Sequence, residues 1–151
     1  MSSETHYKNG QLTVTRMFNA PREAVFDAWI KTSKVELWWG CNFAESVDST
    51  IEPKVGGAYS HRMQLKEVGE YQHHGLITAY DPPNLLAYEL TDAFGGKPMQ
   101  VRVEFSEENA QTKVVLTQSN LIDAHSEFVR AGWSAGLEKL AELLLEEAFR
   151  V

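Results

Sequence analysis

The sequence predicts an α+β fold in which a curved antiparallel sheet of about seven strands wraps around one long C-terminal helix. Residues 124–149 have the apolar periodicity of a helix, and residues 47–118 alternate apolar and polar side chains as strands do. Two short helical segments separate the first strand from the rest. No other predicted element is long enough to cover the apolar side of the long helix, so we expect it to lie on the concave face of the sheet.

The C-terminal helix collects its apolar side chains in one stripe when it is wound at about 100° per residue. The stripe consists of Val129, Trp133, Leu137, Leu140 and Leu144. At about 1.5 Å per residue this helix would be roughly 40 Å long, enough to cross a whole sheet. Leu145 and Phe149 fall on the polar side, and we expect the two short helices to cover them.

The rest of the chain divides into short elements bounded by turn residues. A half-buried strand is predicted at 11–18, followed by helices at 22–31 and 33–39, the second of which opens with a capping box from Ser33 to Glu36. Six strands of an antiparallel meander follow, at 46–52, 57–65, 70–80, 84–91, 98–106 and 111–119. Residues 1–10 are polar and expected to be flexible, and residues 1–151 are expected to form one domain.

Composition and charge restrict the class of protein. The chain has 151 residues and a net charge of −7, and its Lys and Arg residues are dispersed, which argues against nucleic-acid binding because phosphate contacts need clustered basic residues. No apolar run approaches the roughly 20 residues of a membrane span, and the first residues lack a signal-peptide pattern. Together with the single cysteine, Cys41, these features predict a cytoplasmic protein.

Motifs for catalysis and cofactor binding are absent from the sequence. It contains no Gly-x-Ser-x-Gly, no phosphate-binding glycine loop, no His-Glu-x-x-His and no dinucleotide fingerprint, so no catalytic residue and no cofactor are predicted. A hairpin that turns near Val68 should place His61 and His73 on one face. A zinc site needs three or four ligands, so these two histidines do not predict a metal.

Two glycines inside the long helix need an explanation, because each costs about 1 kcal/mol relative to alanine. Either the helix and sheet backbones approach closely at Gly132 and Gly136, or the missing side chains leave room for a ligand. Each glycine could also serve a different one of these purposes. Trp133 lies between them and is either a core residue or a platform for a ligand. We expect any function to lie in this half of the helix, from His125 to Gly136.

Several other side chains have two possible roles. Trp38 and Trp39 are adjacent, so one should enter the core while the other lies at the cavity mouth. His125 and Arg130 flank the inward side of the long helix, where either could anchor a ligand carboxylate or carbonyl or pair at the surface. Arg16 belongs to the apolar face of the first strand and needs a carboxylate partner or a route to water.

The predicted ligand-binding residues are the aromatic, histidine, methionine and glycine side chains expected to face the space between helix and sheet. They are Trp38, Trp39, Tyr59, His61, Met63, His73, Tyr88, His125, Val129, Gly132, Trp133 and Gly136.

Segments spread over most of the chain carry a family resemblance. They are Arg16, Ala20-Pro21-Arg22-Glu23-Ala24-Val25-Phe26-Asp27-Ala28-Trp29, Leu37-Trp38-Trp39-Gly40, Val55-Gly56-Gly57, Gly75, Asp81-Pro82-Pro83-Asn84-Leu85-Leu86, and Gly132-Trp133-Ser134-Ala135-Gly136-Leu137-Glu138-Lys139-Leu140. In them the sequence resembles the START-like (SRPBCC) helix-grip superfamily, and within it proteins similar to the activator of the ninety-kilodalton heat-shock-protein ATPase. Cys41 departs from the pattern, since many relatives have proline there. The superfamily includes lipid carriers and cyclases, so the resemblance implies the fold more closely than the activity.

Three functional hypotheses follow. The first is binding of a small apolar or amphipathic molecule between the long helix and the concave sheet. The second, implied by the resemblance, is a co-chaperone-like module that stimulates a chaperone ATPase. The third is a cyclase- or hydrolase-type enzyme, which requires Tyr59, His61, His73 and His125 to converge in the cavity. A cavity of roughly 300 Å³ or more would favour ligand binding, and a packed interior would favour the interaction module.

Overall fold

The computed structural model describes residues 2–91 and 98–148 of the chain. Within these residues the elements are, in order, β1 (Glu4–Lys8), β2 (Gln11–Phe18), α1 (Arg22–Ile30), α2 (Thr32–Val35), β3 (Ala44–Ile51), β4 (Tyr59–Leu65), β5 (Gly69–His73), β6 (Gly75–Asp81), β7 (Leu85–Leu90), β8 (Met99–Glu108), β9 (Gln111–Ser119) and α3 (Asp123–Ala148). The predicted helix-grip architecture, an antiparallel sheet around a long C-terminal helix, is confirmed.

The strands form two antiparallel sheets that meet at β6. The larger sheet has the order β1-β2-β9-β8-β7-β6, and the smaller has the order β3-β4-β5. A bridge between Ala58 and Leu76 joins them, and the N–H of Ile77 donates to the carbonyl of Gly57 at 2.8 Å. Glycine is needed at position 57 because a side chain there would overlap the carbonyl oxygen of Glu52. The two sheets therefore curve around a shared interior.

The strand predicted at 70–80 is two strands that belong to different sheets. β5 pairs with β4, whereas β6 pairs with β7. The chain changes sheets at Gly75, where a side chain would overlap the carbonyl oxygen of Tyr59. The sequence pattern did not reveal the change because both strands have the same period of two.

Residues 4–8, which lie in the segment expected to be flexible, form strand β1. A hairpin at Asn9 and Gly10, both with positive φ, brings β1 back along β2. The Tyr7 hydroxyl donates to the Asp123 carboxylate at 2.6 Å, which ties this edge to the start of α3. β1 was not predicted because its residues are mostly polar, as is common in an edge strand, which exposes much of its surface to water.

The second short helix differs from its prediction. α2 starts at Thr32 and has no side-chain capping bond, so the predicted capping box does not form. The Glu36 carboxylate instead accepts a hydrogen bond from the backbone N–H of Ser49 at 2.5 Å. This tertiary bond replaces the local one and ties the turn after α2 to β3.

α3 lies with its predicted apolar stripe against the sheet. The five stripe residues are all buried: Val129, Trp133, Leu137, Leu140 and Leu144. Arg16 of β2 is also buried, and its guanidinium donates to the Glu138 carboxylate of α3 at 3.0 Å. Of the two alternatives expected for Arg16, a carboxylate partner or a route to water, the structure shows the carboxylate partner, on the long helix. None of the helices in the described ranges is long and apolar enough to cross a membrane.

The outer side of α3 is not covered as expected. Leu145 is 54% exposed, and Phe149 lies outside the described residues. The short helices pack instead into the core, where the Trp29 ring of α1 lies 4.7 Å from that of Trp38 and 5.4 Å from that of Phe105. They therefore fix the turn after α2 against the sheet.

Two leucines of α3 provide a matched test of this packing. Leu137→Ala should lower the free energy of unfolding by about 2–5 kcal/mol, because the fully buried side chain leaves a cavity. Leu145→Ala removes the same atoms from an exposed position and should change it by less than about 0.5 kcal/mol. Urea unfolding of both variants measures the difference, and equal losses would contradict the orientation of α3.

Candidate functional site

A cavity lies between α3, the turn after α2 and the sheets. Its volume is about 60 Å³, well below the roughly 300 Å³ of a pocket for a drug-sized ligand. One water molecule needs about 10–15 Å³ of such space, so the cavity has room for a few waters or part of a small ring. Its described lining residues are Trp38, Trp39, Gly40, Phe43, His61, His73, Tyr88, Leu90, Met99, Gln118, Phe128, Val129, Gly132, Trp133 and Gly136.

Nine of the predicted ligand-binding residues line this cavity. They are Trp38, Trp39, His61, His73, Tyr88, Val129, Gly132, Trp133 and Gly136. Their role in binding stays a prediction. All the described lining residues of α3 fall between 128 and 136, in the half of the helix where the sequence analysis expected function.

Three predicted residues do not line the cavity. Tyr59 and Met63 are buried in the core, and the Tyr59 hydroxyl donates to the carbonyl of Trp29 at 2.7 Å. His125 lies in the first turns of α3 and is half-buried. Of the four polar side chains that an enzyme was expected to use, only His61 and His73 line the cavity.

Sequence reasoning missed Gly40, Phe43, Leu90, Met99, Gln118 and Phe128. For Gln118 a signal existed. It follows Val114 and Leu116 at a spacing of two, on the face of β9 that is buried. A glutamine at an inward position of an apolar face needs a hydrogen-bonding partner.

Gln118 forms the best-defined polar contact in the cavity wall. The Trp133 indole N–H donates to Gln118 Oε1 at 2.7 Å, and the Gln118 amide donates to the sulfur of Met99 at 3.4 Å. All three side chains are buried. Trp133 therefore belongs to the buried core and also forms part of the cavity wall, and its role as a ligand platform stays a prediction.

His61 is the second buried polar group of the wall. Its Nδ1 lies 2.8 Å from the Ser49 hydroxyl, and its Nε2 has no hydrogen-bond partner among the described residues. The Trp39 ring stacks on it with centroids 4.1 Å apart. Burial, and to a smaller extent the charge of His73, lowers the pKa of His61 to about 3, so the ring is neutral at physiological pH.

His61 and His73 are register partners on β4 and β5, as the predicted hairpin near Val68 required. Within the two described ranges, no group of three or more His, Cys, Asp or Glu side chains is placed to hold a metal ion.

Aromatic side chains form the outer part of the cavity. The Phe43 ring lies 5.3 Å from that of Phe128 and 5.8 Å from that of Trp39. Phe128 is 50% exposed, so this side of the cavity is closed by side chains in contact with solvent. Trp38 lines the cavity from its buried side, and its indole N–H donates to the carbonyl of Ala28 at 3.0 Å. Trp38 is the core residue expected of the pair, and Trp39 is also buried, so the role of Trp39 at the cavity mouth stays a prediction.

The two helix glycines have different surroundings. A Cβ on Gly136 would lie 3.3 Å from the Trp38 ring and 3.4 Å from the Trp38 carbonyl oxygen, which is a tight fit. A Cβ on Gly132 would meet only Phe43, at an ordinary 3.5 Å. Close approach therefore occurs at Gly136, against the turn after α2 and not against the sheet as expected, whereas Gly132 borders free space.

The described lining of the cavity carries no Asp, Glu, Lys or Arg side chain. Arg130, which the sequence placed near the inward side of the helix, pairs with Glu127 at 2.8 Å on the surface. The hydrogen-bonding groups of the interior therefore come from side chains such as Gln118 and the neutral ring of His61, in an apolar wall.

Comparison with known proteins gives one family and a set of similar folds. The model of a family described as Activator of Hsp90 ATPase homolog 1-like protein matches residues 19–145. No curated protein matches the chain.

Three solved structures illustrate the shared fold. Protein Ms6760 from Mycobacterium smegmatis is 17% identical with a TM-score of 0.80, over 95% of this chain and 97% of that one. Protein CV1439 from Chromobacterium violaceum is 21% identical with a TM-score of 0.77, over 89% and 96%. CalU16 from Micromonospora echinospora is 18% identical with a TM-score of 0.73, over 99% and 90%. At these identities the likeness concerns the fold alone.

The different surroundings of the two glycines predict different effects of alanine. Gly132→Ala should raise the free energy of unfolding by up to about 1 kcal/mol, because alanine favours the helix and its methyl group fits. Gly136→Ala has the same helical gain but must displace Trp38, so it should be less stable than Gly132→Ala. Urea unfolding compares them, and equal stabilities would argue against the close contact at Gly136.

The buried neutral ring of His61 predicts acid sensitivity. In the unfolded chain its pKa is near 6.5, and in the fold it is about 3. Between pH 6.5 and pH 3 the His61 ring is protonated in the unfolded chain but stays neutral in the folded protein. As the pH falls through this range, His61 should therefore lower the free energy of unfolding by about 1.4 kcal/mol per pH unit. Urea unfolding at pH 7.5, 6 and 5 should show a smaller acid loss for His61→Asn, and parallel losses would contradict this assignment.

Proposed function

The chain belongs to the Activator of Hsp90 ATPase homolog 1-like family, and from this premise we propose that it binds a small apolar or amphipathic molecule between α3 and the sheets. The observation that carries the proposal is the cavity beneath the N-terminal half of α3, walled by rings and bordered by Gly132. Buried apolar surface of this kind favours transfer of an apolar ligand from water.

The cavity limits the size of the ligand. About 60 Å³ suits a molecule of one ring once the side chains around it adjust. A ligand of about seven heavy atoms should bind with a dissociation constant in the millimolar range or somewhat tighter, given typical free energies per atom. Larger ligands require rotation of the Phe128 and Phe43 side chains, whose rings lie against each other. This rotation leaves the backbone in place.

Filling the cavity tests the proposal. Toluene should shift the backbone amide NMR signals around Gly132 in a saturable titration of the wild-type protein. Gly132→Leu places a side chain at the cavity border and should weaken toluene binding at least about tenfold.

The control for this substitution is Ala131→Leu, which adds a side chain of the same size at an adjacent exposed position of α3. It should bind toluene as the wild type does. If neither toluene nor any apolar compound of similar size gives saturable shifts in the wild-type protein, the ligand-binding proposal fails.

A second candidate function is a co-chaperone-like interaction module, as the family description suggests. The small cavity favours it, and so do two apolar side chains exposed at the start of α3, since Ile122 is 48% and Phe128 is 50% exposed. Exposed apolar groups of this kind occur in protein interfaces.

An ATPase assay tests this second candidate. Addition of the protein to the ninety-kilodalton heat-shock protein should raise its ATPase rate, and the substitutions Ile122→Ser and Phe128→Ser together should reduce the effect. Leu37→Ser, at an exposed apolar position in the turn after α2, is the control and should keep it. An unchanged rate with wild-type protein rejects the module.

A further inference from the structure

We propose that Gln118 orients the ligand by donating a hydrogen bond from its side-chain amide to a neutral acceptor, a carbonyl or hydroxyl oxygen, on a molecule of about one ring. This inference rests on the proposed ligand binding and names the chemical class of the ligand. It depends on three features of the cavity wall: the orientation of the Gln118 amide, the weak acceptor that its NH₂ group now has, and the absence of Asp, Glu, Lys and Arg side chains from the described lining.

The orientation of the Gln118 amide is set by Trp133. An indole N–H can only donate, so the atom 2.7 Å from Trp133 Nε1 must be the amide oxygen. The NH₂ group of Gln118 is therefore directed to the other side, toward Met99. The chemistry of the indole partner therefore decides which end of the amide is the donor.

The present acceptor of this NH₂ group is weak. The group carries two N–H bonds, and the partner found for it is the thioether sulfur of Met99 at 3.4 Å. Thioether sulfur is a poor acceptor, and Gln118 is 4% exposed, so bulk water does not replace it. A ligand oxygen in the cavity would give this donor a stronger partner, which is why a ligand with an acceptor is favoured over a hydrocarbon of the same shape.

The surroundings select a neutral ligand. The register partners of Gln118 are Leu12 on β2 and Val101 on β8, and the described cavity lining has no Asp, Glu, Lys or Arg side chain. A carboxylate or ammonium group would lose its hydration here without gaining an Asp, Glu, Lys or Arg partner.

His61 offers another polar atom of the wall, but its role is less defined than that of Gln118. The Ser49 hydroxyl can donate to Nδ1 or accept from it, so both tautomers of the ring are allowed. Its Nε2 can therefore meet a ligand as a donor or as an acceptor. The donor supplied by Gln118 does not depend on that choice.

Two ligands of one shape separate this inference from ligand binding in general. Cyclohexanone and methylenecyclohexane differ by an oxygen in place of a CH₂ group, and NMR titration gives both dissociation constants. The ratio of the two constants is compared among the wild type, Trp133→Phe and the double variant Trp133→Phe with Gln118→Met. Trp133→Phe is included in the double variant because it removes the indole N–H, which would otherwise be buried without an acceptor once Gln118 is replaced.

The expected result is a change in the ratio by about tenfold against the ketone between Trp133→Phe and the double variant, which differ only at Gln118. A ratio that is the same with and without Gln118 overturns the inference while leaving the proposed function intact. Failure of methylenecyclohexane to bind the wild-type protein counts against the proposed function itself. Cyclohexanecarboxylate binding as tightly as cyclohexanone would overturn the neutral class.

A measurement on the wild-type protein covers the case in which the double variant does not fold. The side-chain ¹⁵N–¹H signals of Gln118 should move downfield when cyclohexanone is added and should move much less with methylenecyclohexane. Equal movement with both ligands would overturn the role of Gln118.

Discussion

The packing of α3 across the concave side of the sheets is the contact on which the rest of the structure depends. Leu137 and Leu140 are almost completely removed from water, and they fix the helix by hydrophobic burial. Arg16 of β2 adds a directional contact, because its buried guanidinium donates a hydrogen bond to the Glu138 carboxylate of α3. A buried cation must have such a partner, so this pair favours one position of the helix along the sheet over sliding alternatives.

The position of α3 explains where the cavity lies. At Gly136 the helix approaches Trp38 so closely that a side chain barely fits, and this contact closes the interior on the C-terminal side. One turn earlier, at Gly132, the nearest neighbour is the ring of Phe43, and free space remains. A pair of glycines thus produces one close contact and one opening, and the opening is surrounded by aromatic side chains and the neutral amide of Gln118.

Most of the fold and much of the cavity wall could be predicted from the sequence, because both depend on local periodicity. The inward stripe of α3 and the alternation along β4 identified residues such as Trp133 and His61. Gly75 and Glu36 show where the method failed. Gly75 is needed because the carbonyl of Tyr59 lies against it where the chain passes from one sheet to the other. The Glu36 carboxylate bonds to Ser49 instead of capping its own helix. Both contacts involve residues distant in the sequence, and the periodicity of a single segment gives no information about them.

The sequence by itself determined the order of helices and strands after β1, apart from the division of 70–80 between β5 and β6, and also the buried face of α3 and the dispersal of Lys and Arg along the chain, because these follow from spacing and composition. Only the tertiary structure decided the separate roles of Gly132 and Gly136 and the hydrogen bond from Trp133 to Gln118. The physical reason is that a cavity is the space left between elements. Its size and polarity depend on ångström-scale distances between residues far apart in the chain, and a one-dimensional pattern does not specify those distances.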